Sequence, residues 1–267
     1  GADPDRRGHR PPLMGGRGVG SFRGWSGILR SLAIYHGDRR HLRSLAAFYG
    51  GLVRPGDLVF DIGAHVGDRT RVLHGLGARV VAVEPQSRLA ALLRLAFGWR
   101  RRISIVQAAV SNAPGEIHLH VNSANPTVTT GSDALVAAAA SGTGWRDQVW
   151  DGVVTVPAVT LDDLIAAHGR PAFIKIDVEG LEDRVLAGLS APVPILSFEF
   201  MTLQRDVALA ALSRASALGY RRFRLSIGES HAWETPAGDT VEAMAAHLSR
   251  LPEAANSGDV YCFLDTA

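Results

Sequence analysis

The segment Asp61-Ile62-Gly63-Ala64-His65-Val66-Gly67 has the residue types and spacing of a ligand-binding turn. It follows the apolar run Leu58-Val59-Phe60 and precedes a helical pattern, so it joins a buried strand to a helix. Glycines at such a turn let a ligand approach the backbone where a side chain would block it. In an open α/β sheet the ligand crevice lies at the carboxyl ends of the strands. Glu84 ends the next strand-like run, Arg79–Val83, where a carboxylate can accept two hydrogen bonds from ribose hydroxyls. The spacing is G-x-x-x-G, not the G-x-G-x-x-G that seats a pyrophosphate on a helix N-terminus. Asp61 would repel a pyrophosphate. S-adenosylmethionine (SAM) carries a sulfonium, an ammonium and one carboxylate, so Asp61 and Glu84 suit it better than a nicotinamide dinucleotide.

A second charged segment, Lys175-Ile176-Asp177-Val178-Glu179-Gly180, ends another strand. Residues 175, 177 and 179 fall on one side of it. In the strand order usual for methyltransferases this strand neighbours the Asp61 strand, and the next one carries Glu199. Asp61, Lys175, Asp177, Glu179 and Glu199 should then meet at one crevice. Buried charges of this kind are costly unless they pair or meet a ligand. The catalytic candidates are Asp177, Glu179, Glu199 and Lys175, the last either offsetting negative charge or handling a proton. The cofactor-binding candidates are Asp61, Gly63, His65, Gly67, Thr70, Glu84, Gln107 and Asp177. An alcohol acceptor needs a base or a metal, and two or three carboxylates also suit Mg²⁺. The sequence leaves both alternatives open.

The elements that must position these residues alternate. Residues 1–24 are rich in Arg, Gly and Pro and read as a flexible basic arm. Residues 25–50 read as a helical segment broken near Gly37-Asp38, and residues 51–267 as one domain. Strands at 58–62, 79–84 and 103–106 alternate with helices, the second opened by Pro85 with Leu89, Leu92, Leu93 and Phe97 on its apolar face. Glu116–Val121 alternates strictly, with His118 and His120 on its wet face. The inserted loop 122–152 is a candidate lid over substrate, with a short helix around 133–140. Trp145, Trp150 and Trp233 are candidates for stacking on an acceptor ring. Strands at 153–156, 172–176 and 195–200 follow, with Thr160 capping a helix after the first. A helix over 204–218 stops at Gly219, and strands near 223–227 and 260–264 close the chain. The expected fold is α/β, a doubly wound sheet, mostly parallel with an antiparallel C-terminal strand.

The runs Val59–Gly67, Val83-Glu84-Pro85, Ala108–Ser111, Thr160–Leu164 and Ile174–Gly180 together resemble the FkbM-type SAM-dependent methyltransferases, in order and over roughly residues 52 to 202. The resemblance implies a class I methyltransferase Rossmann-like fold and a hydroxyl acceptor on a natural product or sugar. The family commonly has asparagine where this chain has His65. Histidine can keep a hydrogen-bonding role there, alter the site near the methionine end of the cofactor, or act as a base. Rival readings are an NAD-dependent oxidoreductase and a non-catalytic SAM-binding protein.

Composition sets the outer bounds. The chain has 267 residues, 46% of them hydrophobic and 20% charged, with a formal net charge of +2, which excludes wholesale disorder. No stretch is long and apolar enough to span a bilayer, so no membrane partner is expected. The basic arm lacks interleaved aromatics, so nucleic acid is not the expected partner either. A homodimer through residues 25–50 remains open. With no apolar signal-peptide core, the cytoplasm is the expected compartment. Cys262, the sole cysteine, excludes an internal disulfide and a thiolate metal site and reads as a buried strand residue.

Overall fold

The computed structural model describes residues 19–264 apart from residue 143. In chain order the strands are β1 (Leu58–Ile62), β2 (Arg79–Val83), β3 (Ile103–Val106), β4 (Ala109–Val110), β5 (Gly115–Val121), β6 (Gly152–Val159), β7 (Phe173–Ile176), β8 (Ile195–Met201), β9 (Arg222–Ile227) and β10 (Ser257–Phe263). The helices are α1 (Val19–Gly37), α2 (Arg39–Gly50), α3 (Asp68–Gly75), α4 (Ser87–Phe97), α5 (Asp133–Ala139), α6 (Leu161–His168), α7 (Glu182–Ala187), α8 (Arg205–Ala217) and α9 (Val241–Arg250).

Seven strands form the central sheet in the order β3-β2-β1-β7-β8-β10-β9. β10 runs antiparallel to β8 and β9, while β3, β2, β1, β7 and β8 are parallel. This is the doubly wound, mostly parallel sheet that the strand–helix alternation requires. The placement of β7 beside β1, and β8 next to β7, is the one that brings the charged strand ends together.

Helices cover both faces of the sheet, and alternate residues feed two cores. Phe60, Ile62, Ile174 and Ile176 pack with Leu186 and Leu212 on one side. Val59 and Phe173 pack with Leu73, Leu93 and Tyr261 on the other. That is why β1 and β7 are apolar on both faces apart from Asp61 and Lys175, rather than alternating. Cys262 is buried in β10, in register with Leu196 of β8 and Phe223 of β9, and burial pushes its thiol up.

The break at Gly37-Asp38 is a helix N-cap: the Asp38 carboxylate accepts from the backbone N–H groups of Arg40 and His41. α1 begins at Val19 and so takes in the last residues of the stretch expected to be a flexible arm. Residues 1–18 of that arm lie outside the described residues. Thr160 caps α6 in a reciprocal box with Asp163.

The inserted segment 122–152 carries the expected short helix as α5 and is flanked by strands of a second sheet. β4, β6 and β5 form a small separate sheet, and residues 126–128 make a 3-10 turn. His120 and Thr130 form an isolated bridge. Of the two wet-face histidines, His118 meets Thr155 Oγ1 at 3.0 Å and His120 meets Asp133 at 2.6 Å. Among the described residues no helix is long and apolar enough to cross a membrane.

Candidate active site

β1 and β7 pair so that Asp61 lies opposite Lys175 and Ile62 opposite Ile176. The turns beyond them therefore collide unless one gives way. Gly63 gives way: at φ +82° a Cβ would stand 1.7 Å from the Asp177 carbonyl oxygen. No other residue type fits that crossing. The backbone N–H groups of Gly63 and Ala64 both donate to the Val83 carbonyl, at 2.9 and 3.0 Å. His65 follows at φ +48°, its N–H donating to one oxygen of Glu84 at 2.9 Å, while the Gln86 N–H donates to the other at 2.8 Å. Three strand ends are thereby stitched into one wall.

That wall bounds a cleft with about 600 Å³ of empty space, open solvent included. Ile62, Val83, Pro85, Ala108 and Leu181 give it apolar sides, and Glu84, Gln86, His65, Asp177 and Glu179 supply its polar groups. A second cavity of about 430 Å³ adjoins it, lined by Tyr35, His65, Arg69, Thr127, Asp177, Glu179, Glu199 and Glu229. His65, Thr127, Asp177 and Glu179 line both.

The charge states follow from burial and pairing. Lys175 is 1% exposed, and its ammonium donates to Asp259 at 2.7 Å and Asp177 at 3.2 Å. Burial opposes its charge, but the two aspartates outweigh burial and hold it protonated. Burial likewise opposes the Asp177 anion, yet Lys175 and Arg69 keep it below the usual carboxylate range. Glu179 and Glu199 are pushed well up, first by burial and then by repulsion from Asp177. Carboxylate oxygens of Asp177, Glu179 and Glu199 lie within 4.8 Å of one another, so a charge on Asp177 opposes charge on the other two. Burial raises Glu84 to about 7 and lowers His65 to about 4, so the imidazole is neutral.

Six expected residues meet at the two cavities: Gly63, His65, Glu84, Asp177 and Glu179 at the cleft, and Glu199 in the second chamber. Five others do different work. Asp61 is not a lining residue: it is buried and accepts from Thr70 Oγ1 at 2.5 Å, and burial raises it to about 6. The pair ties α3 to the end of β1, and Thr70, fully buried, lines neither cavity. Gly67 is required by helix packing, since a Cβ would sit 2.6 Å from Leu93 Cδ2 and 2.7 Å from Phe97 Cε2. Gln107 accepts from Arg94 at an exposed position, and the next residue, Ala108, lines the cleft instead. Lys175 lies beneath both cavities as a counter-ion and, being held protonated, is no base. The three tryptophans line neither cavity. Trp145 donates to Asn256, Trp150 to the Val128 carbonyl, and Trp233 packs on Phe48 with ring centroids 4.6 Å apart.

Several site residues escaped the sequence reading. Tyr35 sits edge-on to His65, with centroids 5.8 Å apart, and burial pushes its hydroxyl to about 12. Its spacing from Ile28 and Leu32 along α1 is that of an ordinary apolar helix stripe, which conceals it in the sequence. Arg69 and Glu229 pair at 2.9 Å across the second chamber, from positions 160 residues apart, a contact with no local signal. Glu182 did have one: three residues after Glu179, it folds back to accept from the Val178 and Gly180 N–H groups. That cap, with Thr130 Oγ1 donating to the Glu179 carbonyl, holds Glu179 at φ +58° over the cavities.

The sequence model of the Methyltransferase FkbM domain matches residues 61–254. A curated relative, the 31-O-demethyl-FK506 methyltransferase FkbM of Streptomyces tacrolimicus, is 32% identical over 174 residues, which cover 57% of this chain and 65% of that protein. The chain thus spans just under two thirds of that relative. Among solved structures, a TehB-like SAM-dependent methyltransferase from Corynebacterium glutamicum superposes with a TM-score of 0.45 at 12% identity, covering 92% of this chain and 99% of that one. The O-methyltransferase from Bacillus cereus in complex with SAH gives a TM-score of 0.43 at 11% identity, covering 89% and 90%.

Proposed function

The chain belongs to the FkbM methyltransferase domain family, and on that premise we propose that it is a SAM-dependent O-methyltransferase acting on a hydroxyl of a sugar or other polar natural-product unit. The carrying observation is Asp177, an anion on the wall shared by an apolar-sided cleft and a chamber lined by polar side chains. The relative's name, which describes O-methylation of a natural product, supports the choice of oxygen.

The cleft fits SAM. Glu84 accepts from the ribose, Gly63 offers bare backbone, and the neutral His65 imidazole adds no positive charge beside a sulfonium. SAM when bound supplies the methyl group. The acceptor hydroxyl lies in the second chamber and donates to Asp177, which takes its proton as the O–CH3 bond forms. Glu179 and Glu199 line the same chamber and are placed to hydrogen-bond neighbouring polar groups of the acceptor. The trio also fits Mg²⁺, because its donors are hard oxygens and Glu199 Oε2 is buried without a hydrogen-bond partner. Mg²⁺ when bound there would polarise the acceptor oxygen.

Incubating the chain with SAM and a panel of hydroxylated metabolites and glycans should yield an oxygen-methylated product. Binding of NADH in place of SAM, or SAM binding with no product from any hydroxyl acceptor, would sink the proposal. Rates unchanged by excess chelator would remove Mg²⁺ and leave Asp177 as the base.

Glu84 gives the cofactor step a pH signature. Its pKa near 7 means it is mostly protonated at pH 6 and ionised at pH 8. Only the ionised form is a full acceptor for ribose hydroxyls. SAM affinity should therefore fall about tenfold from pH 8 to pH 6, one pKa unit being a factor of ten. Calorimetric titration across that range checks it, and a flat profile would contradict the ribose role.

A further inference from the structure

We propose that His41, Glu229 and His231 form a binding site for a zinc-class divalent cation, beside the methyl-transfer site and distinct from the Asp177 trio. One ligand atom from each of the three lies within 4.8 Å of the others. Zinc takes histidine nitrogen and carboxylate oxygen at about 2.1 Å, so a small side-chain movement closes this set around an ion.

Three details of the surroundings favour a cation over a simple ion pair. The first is the division of Glu229. One oxygen receives Arg69 Nη2 at 2.9 Å, while the other faces His231 Nε2 at 3.0 Å. A metal would replace only what lies between Oε2 and the imidazole and leave the arginine contact in place. The second is the far side of the His231 ring, where Nδ1 meets Ser44 Oγ at 3.2 Å. A hydrogen bond there orients the ring and fixes the Nε2 lone pair toward the ion, as second partners do for metal-bound histidines. The third is charge. Asp68, 3.3 Å from His41 Nε2, and Glu229 supply two negative charges against the one positive charge of Arg69. The pocket thus carries one excess negative charge when both imidazoles are neutral.

The backbone is consistent with this. His231 is held at φ +48°, a conformation costly for a non-glycine residue, and it carries its side chain back over Glu229. The side chains of His41, His231 and Asp68 are 14%, 9% and 4% exposed, and that of Glu229 is 47% exposed, which leaves an entry path on the Glu229 side. An ion here would tie α2 to the segment after β9 and brace the Glu229 wall of the second chamber.

Zn²⁺ titrated calorimetrically into the chelator-treated full chain should bind at one site that persists in Asp177→Asn. Co²⁺ at that site should show the visible absorption of a nitrogen-ligated ion. His231→Ala and Glu229→Gln should each weaken Zn²⁺ binding about 100-fold or more, with far-UV circular dichroism in chelator unchanged. Should His231→Ala fail to fold, the shape-conserving Glu229→Gln decides alone. No Zn²⁺ binding to the wild-type chain, equal binding in Glu229→Gln, or loss of binding in Asp177→Asn would each overturn the proposal.

Discussion

Asp177→Asn should lower methyl-transfer turnover about 10³-fold, in the middle of the range for a positioned proton acceptor. Asparagine keeps the shape and can still touch the acceptor, but it cannot take the proton. The loss should appear in single-turnover rates. SAM affinity should change only a few-fold, because Glu84 and the Gly63 backbone are untouched. The pH dependence separates the two carboxylates. Asp177 is held below the usual carboxylate range, so it stays ionised and functional from neutrality down through mild acid. Glu84 protonates near 7. Acidification from pH 8 should therefore raise KM for SAM first and lower kcat only at much lower pH. A variant with wild-type single-turnover rate would remove Asp177 from the chemistry.

Lys175→Met should cost about 3–5 kcal/mol of stability, the range for breaking a buried ion pair by removing one partner. The ammonium at 1% exposure is the direct partner of Asp259 and Asp177, and methionine fills the space without the charge. A loss of that size lowers Tm by roughly 10 °C in a domain this large. The sign follows from the shift: Lys175 is raised well above its ordinary value and stays charged, so its stabilisation persists until strongly alkaline pH. Asp177 should then titrate higher, because Lys175 is the main influence holding it ionised, and the acid limb of kcat should move toward neutrality. Adding Asp259→Asn should recover much of the lost stability. A Tm within 2 °C or so of wild type would show that the pair contributes little.

The fold was legible in the sequence because parallel strands buried on both faces leave unbroken apolar runs. Val59-Phe60 and Val80–Val83 are such runs, and Phe173–Ile176 is one but for Lys175. The convergence of Asp177, Glu179 and Glu199 followed from the order of neighbouring strands. What the sequence could not show was direction within a crowded strand end. Asp61 lies within β1 opposite Lys175, two positions short of the level that Asp177 reaches beyond β7, so Thr70 makes one an internal tie while the other, paired with Lys175, faces a cavity. Gly67 and Gly63 look alike in a glycine-spaced turn, but one is demanded by α4 and the other by a neighbouring backbone. The walls of the second chamber come from α1, from α3 and from the loop after β9. Such long-range contacts leave no periodicity to detect.

The single thiol has a practical consequence. Cys262 lies in the core between β8, β10, β9 and the helices α8 and α9, so a water-soluble sulfhydryl reagent reaches it only when that half of the sheet and its helices open. Its modification rate in the native state measures how often that half of the sheet opens, with no engineered probe and no second cysteine to confuse the signal.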